Sequence, residues 1–187
     1  MDLMNLLSEK KSFILKRWFE EIVEDYPSDS SNFLKKQKDR FANPVGCTIS
    51  QGIEDLFDEL LHDIYSDKCI SKLDDIIRVK AVQDFTPSRA VSFIFLLKKI
   101  IREEMGDDIK KNHLSDEFQS FESNIDRIAL LSFDIYMKCR EKIFEIRVNE
   151  VRNMTNRLLK MANLVYDIDE QRPDNEPEIF KKENIKG

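Results

Sequence analysis

The sequence predicts an all-α protein, and three observations carry that prediction. Apolar residues recur at spacings of three and four along most of the chain, as amphipathic helices require. Glycine and proline number only four and five in 187 residues, too few for a loop-rich sandwich or a Gly-rich nucleotide fold. From Asp107 to Arg172 there is neither.

Taken in order, the elements are as follows. Ser8 is the expected cap of a first helix whose stripe is Leu15, Trp18, Phe19, Ile22 and Tyr26, with Pro27 ending it. A more polar helix is expected from about Ser30 to Arg40, placing Phe33 and Phe41 on one face. Asn43-Pro44-Val45-Gly46 reads as a turn, and Thr48-Ile49-Ser50-Gln51 as a capping box. The helix it opens carries Ile49, Ile53, Leu56, Phe57, Leu60, Leu61 and Ile64. Gly52 inside it costs up to ~1 kcal/mol of helix propensity, which packing must offset. A shorter helix, Leu73 to Val82, follows from the run Leu73, Ile76, Ile77, Lys80, Ala81.

Thr86 as cap and Pro87 at the first helical position open the next helix. It is apolar almost all round (Val91, Phe93, Ile94, Phe95, Leu96, Leu97, Ile100, Ile101) and so belongs at the centre of the domain, with Gly106 closing it. After a cap at Ser115, one helix is expected to reach about Val165, roughly 50 residues and ~75 Å. Its first part, Ile125 to Phe144, is apolar enough to pack into a domain. Its second part narrows to the seam Val151, Met154, Leu158, Met161 and Val165, spaced for a coiled coil. About seven helices are expected. The charged tail from Asp167 reads as flexible. The organisation is a helical domain over 1–145, an extension of the long helix over 146–166 for signalling and dimerisation, and the tail over 167–187.

Composition narrows the function. Thirty lysines and arginines against 36 acids give a net charge of −6, so no global footprint for nucleic acid or a membrane surface is present. Mean hydropathy is −0.47, and no apolar run approaches the ~20 residues of a membrane span. The N-terminus lacks the basic and apolar regions of an export signal. Three widely spaced cysteines (Cys47, Cys69, Cys139) form no CxxC, and a reducing cytoplasm is the expected location.

Catalytic signatures are missing: there is no GxSxG, P-loop, GxGxxG, HExxH or DxDxDG. No catalytic residue, metal ligand or cofactor is therefore assigned. Asp58 and His62, four apart on a helix, could touch a metal ion, but two ligands do not make a site. Cys139, beside Lys138 and Arg140, reads as a small buried hydrophobe rather than a sensor thiol. Lys35-Lys36-Gln37-Lys38-Asp39-Arg40 reads as a solvated basic face.

Polar residues do sit hard against the most apolar elements. Arg78, Lys80, Gln83 and Asp84 precede the central helix, and Asp134, Tyr136 and Arg140 interrupt the long one. Buried polar groups need partners, so these either brace helices across the core or line a small pocket, and bracing is the better reading. Arg40, Asn43, Gln83, Asp84, Arg89, Asp134, Tyr136 and Arg140, polar at junctions or on expected inward helices, are the candidate ligand-binding residues.

Three stretches resemble one known family. They are Phe33-Leu-Lys-Lys-Gln-Lys-Asp-Arg-Phe-Ala-Asn-Pro-Val-Gly46, then Val79-Lys-Ala-Val-Gln-Asp-Phe-Thr-Pro-Ser-Arg-Ala-Val91 with Phe93-Ile-Phe-Leu-Leu-Lys98, and Leu131 through Glu150. In that order they are similar to the N-terminal sensory domains of RsbR-type (RsbRD) stress regulators, from about Leu15 to Leu164. The resemblance implies a cytoplasmic bacterial sensor with a globin-like helical fold that does without haem. It also implies a homodimer whose long C-terminal helix carries the signal to an output domain. A chain ending at Gly187 has no room for an STAS, kinase or cyclase domain, so a stand-alone or truncated member is expected. The family supplies no catalytic residues to carry over.

The expected function is thus a non-enzymatic sensory or regulatory module, a stressosome-type regulator in signal transduction. It would sense an unknown small ligand, or a partner signalling protein, and relay this through the C-terminal helix. The alternatives are a helical adaptor without ligand and a haem-binding globin with His62 or His113 as axial ligand.

Overall fold

The pattern of helix-forming stretches is realised in a computed structural model that describes residues 2–37, 39–62, 67–83 and 85–162. Among them are seven helices and no strand: α1 (Leu3–Glu9), α2 (Lys11–Glu24), α3 (Ser28–Lys36), α4 (Pro44–His62), α5 (Asp67–Val82), α6 (Pro87–Lys111) and α7 (Ser115–Met161). The all-α class holds, and the helices fit the globin-like bundle that the resemblance implies. The chain divides into two units, Met1–Ile146 and Arg147–Gly187.

Helix α1 is not expected from the sequence, because seven residues are too few to show a period. Asp2 caps it, accepting from the Asn5 amide at 2.8 Å, and it buries Leu3, Leu6 and Leu7. Ser8 is therefore not a cap; its hydroxyl donates to the Met4 carbonyl within α1. Helix α2 buries Ile14, Trp18, Ile22 and Val23, and the Trp18 indole donates to the Phe93 carbonyl at 2.7 Å. That bond fixes α2 against α6, aided by Arg17 paired with Glu103 and Glu104. Such partly exposed pairs contribute only ~0–1 kcal/mol each.

Several boundaries depart from expectation: α5 begins at Asp67 rather than at Leu73, and three others depart for identifiable physical reasons. Helix α3 stops at Lys36, so Phe41 falls in the turn beyond it, 97% exposed, and shares no helix face with Phe33. Helix α4 begins at Pro44 rather than near Thr48. Asn43 acts as its cap, its Oδ1 accepting from the Gly46 amide at 2.8 Å, with Pro44 where a missing N–H costs nothing. Helix α6 continues through Gly106 to Lys111. Nothing crowds that glycine, and the helix ends at Asn112, before the left-handed His113 (φ 57°). At the start of α6 the expected cap is present: Thr86 Oγ1 accepts from the Arg89 amide.

The core of the first unit is mainly apolar, with Trp18, Phe57, Phe93 and Phe121 its largest apolar members, Lys80 buried among them and α6 running through it. Helices α4 and α5 approach closely at Gly52. A Cβ built there would lie 2.7 Å from the Ile76 side chain, which identifies the packing that offsets the glycine's poor propensity. Cys139 is half-buried against the core, and desolvation raises its thiol pKa, as suits a packing residue rather than a reactive thiolate.

Candidate functional site

One place gathers four of the sequence-predicted residues: the corner between α5 and α6. Two of them come from α7. Tyr136, buried, donates its hydroxyl to the Phe85 carbonyl, and Arg140 donates to the Ala81 carbonyl at 3.0 Å. The other two tie the corner to the end of α2. Gln83 accepts from the Tyr26 hydroxyl at 2.8 Å, and the Arg89 guanidinium donates to the Asp25 carbonyl at 2.6 Å. Ends of α2, α5 and α6 and the middle of α7 thus meet at one place, where α7 side chains pair the Ala81 and Phe85 carbonyls.

At the centre of this corner is a residue absent from the candidate set. Lys80 is fully buried, with its ammonium nitrogen 4.7 Å from the Phe85 ring centroid, 5.6 Å from Phe93 and 5.8 Å from Tyr26. No hydrogen-bond partner reaches it among the described residues. Burial, opposed by the Asp25 charge and reinforced by Arg89, lowers its pKa to about 8. A signal for it exists in the sequence: Lys80 falls within the apolar stripe Leu73, Ile76, Ile77, Ala81. Lysines on such stripes usually snorkel to water, and the rings around this one forbid it.

The remaining candidates lie elsewhere. Asn43 is buried at the α3–α4 connection, where its Nδ2 donates to the carbonyls of Leu34 and Gln37 at 3.1 and 2.8 Å. It shares with Gln83 and Tyr26 the wall of a groove of about 450 Å³. A larger cleft of about 860 Å³ lies between α2 and the start of α4 and also reaches Asn43. Arg40 is exposed. Asp134 is exposed too, on a part of α7 expected to face inward, so it does not join the corner. Asp84 lies outside the described residues.

Both histidines are exposed. His62 is exposed with Nδ1 2.8 Å from the Asp58 carbonyl, while the Asp58 carboxylate binds Lys11, so the pair does not converge on a metal position. His113 is exposed on the turn after α6. No group of three or more metal-ligating side chains occurs among the described residues. None of their helices is long and apolar enough to cross a membrane.

A second feature is a row of exposed apolar side chains on α7. In the second unit these are Val151, Met154, Leu158 and Met161, each more than 60% exposed; Val165 lies outside the described residues. In the first unit Leu130, Phe133, Met137 and Phe144 are exposed. Leu130, Met137, Phe144, Val151 and Leu158 stand seven apart in sequence, so the seam spacing begins three heptads before Val151.

Comparison with known proteins agrees with this picture. The model of the RsbT co-antagonist protein rsbRD N-terminal domain family matches residues 14–151. An uncharacterized protein of Archaeoglobus fulgidus is 28% identical over 106 residues, covering 54% of this chain. The chain spans 66% of the length of that relative, just under two thirds. No solved structure matches.

Proposed function

This chain belongs to the RsbT co-antagonist protein rsbRD N-terminal domain family, a family of regulatory domains in stress signalling, and on that premise we propose that it is a non-enzymatic cytoplasmic sensor acting as a homodimer through α7. A small ligand or a partner contact shifts the packing of α7 on the α5–α6 corner, and the C-terminal part of that helix passes the shift to an output or partner protein.

The observation that carries this reading is the exposed apolar row on α7. Large apolar side chains left in water at a coiled-coil spacing are worth roughly 1.5–3 kcal/mol each once covered. A second copy of the same helix covers them with the same spacing. The corner supplies the other half of a relay, because Tyr136 and Arg140 are held by carbonyls of a turn that also contacts α2. For a stimulus to switch such an element from 1:99 to 99:1, it must bind one arrangement about 5.5 kcal/mol better than the other.

The test is native mass spectrometry of the purified chain beside Leu158→Asp. A dimer for the parent and a monomer for the variant is the expected result. Extra mass lost on denaturation would give the ligand's mass directly. A parent chain that is monomeric, or a variant that dimerises as well as the parent, overturns the α7 interface. Dimerisation without ligand or response, but with capture of a defined partner helix on the same face, would replace the sensor with an adaptor.

A further inference from the structure

Lys80 is a fully buried ionisable group to which the dimeric relay gives no role. A buried ammonium with no hydrogen-bond partner among the described residues is costly, and the ring faces of Phe85, Phe93 and Tyr26 recover only part of that cost. The groups facing it can be named element by element. At the end of α2, Asp25 favours the charge, and Tyr26 remains neutral because burial pushes its hydroxyl up to about 12. From α6, Arg89 opposes the charge. From α7 come Tyr136 and Arg140, which hydrogen-bond the carbonyls of Phe85 and Ala81. Asp84 lies outside the described residues.

The amine and the anchors of α7 hold the same turn. Ala81 is the next residue after Lys80, the Phe85 ring carries the ammonium at 4.7 Å, and the Phe85 amide donates back to the Lys80 carbonyl at 3.3 Å. Phe85 is also capped on its ring by Arg89, 4.9 Å from the centroid. A change in what Lys80 requires of its surroundings therefore acts on both carbonyls that fix α7.

We infer that Lys80 is a proton-binding site whose occupancy sets how firmly the α5–α6 corner holds α7 at Tyr136 and Arg140. The inference rests on the relay through α7 and names the proton as its stimulus. Uncharged, the amine suits an apolar cage and the corner stays closed. Protonated, it is better served by water, so the proton favours an opened corner in which the nitrogen is hydrated. Only an N–H bond forms or breaks, and the proton exchanges with solvent. Between an ordinary lysine at 10.5 and the buried one at about 8, the proton prefers the open corner by roughly 300-fold. The effect changes only across that interval: as pH rises above 8, the proton leaves the closed form first and the corner tightens.

The test combines a lysine ¹³Cε NMR titration with amide hydrogen exchange on the full chain at pH 7.5 and 9.5, corrected for intrinsic exchange rates. One lysine is expected to titrate near 8, and its signal to vanish in Lys80→Met. Protection of the corner and of the stretch of α7 facing it is expected to rise roughly 20-fold between the two pH values. In Lys80→Met, which fills the cage without a charge, protection should be high at both. A Lys80 midpoint near 10.5 overturns the site. A lowered midpoint with unchanged protection overturns the coupling. If Lys80→Met does not fold, the titration and exchange of the parent chain still decide. Native mass spectrometry separates the two readings, since a chain that dimerises through α7 but keeps a pH-insensitive corner loses the proton site alone.

Discussion

Gly52 shows how one missing side chain sets the spacing of two helices. Ile76 occupies the place of its Cβ, and Ile76 is fully buried, so it has nowhere to retreat. Gly52→Ala gains up to ~1 kcal/mol of helix propensity and loses roughly 1–3 kcal/mol to overpacking, so the net expectation is a loss of about 1 kcal/mol. Urea denaturation measures this, and Ile76→Val, which removes one of the crowding atoms, should recover part of the loss in the double variant. A stabilised Gly52→Ala would show that α4 and α5 do not meet at this point. The sequence states the anomaly, a glycine inside a strongly apolar stripe, but not its partner. Ile76 lies 24 residues away and only the packing of α5 brings it there. Lys80 is the same case in polar form: its place on the apolar stripe of α5 can be read, whereas the three rings that enclose it come from the end of α2, from α6 and from the turn between α5 and α6.

At the scale of elements, long helices are visible in the sequence and their ends are not. The period that reveals α6 and α7 extends over 25 and 47 residues, while α1 has seven. The start of α4 hides for another reason. Asn43 caps it and also reaches back to the last carbonyls of α3, a role that depends on where α3 ends. Asn43→Ala removes three hydrogen bonds in a buried setting and should cost about 2 kcal/mol in urea denaturation. Asn43→Asp separates the two functions. It keeps the oxygen that accepts from Gly46 but turns a carboxylate toward the Leu34 and Gln37 carbonyls, so at neutral pH it should be at least as damaging as alanine. An aspartate variant as stable as the parent would mean that the cap alone matters and that the link between α3 and α4 does not. The candidate site divides in the same way. Gln83, Arg89, Tyr136 and Arg140 were readable as polar residues at the edges of apolar helices, and all four do brace the corner. Asp134, which obeys the same rule in the sequence, faces water because α7 presents only one side of that turn to the core.

For the molecule as a whole, these local features combine in the dependence of stability on pH. Lys80 has a lowered pKa in the folded chain, about 8 against 10.5 when unfolded. Below 8 both states carry the proton, and folding bears the full cost of burying the charge, about 3 kcal/mol. Between 8 and 10.5 the unfolded chain holds the proton and the folded chain does not, so stability rises with pH. Tyr26 acts in the opposite sense higher up. Its hydroxyl is raised to about 12, so from about 10 upward the unfolded tyrosine ionises first and stability falls. The two groups lie against each other at the corner, and together they place the maximum near pH 10, above the usual range for proteins. Urea unfolding midpoints taken at intervals from pH 7 to 11.5 should trace that maximum. In Lys80→Met the rise from 8 to 10 should vanish because the curve is already high at pH 7, while the decline above 10 remains. A parent chain that loses stability steadily from pH 8 to 10 would mean that surface ion pairs outweigh the buried ammonium.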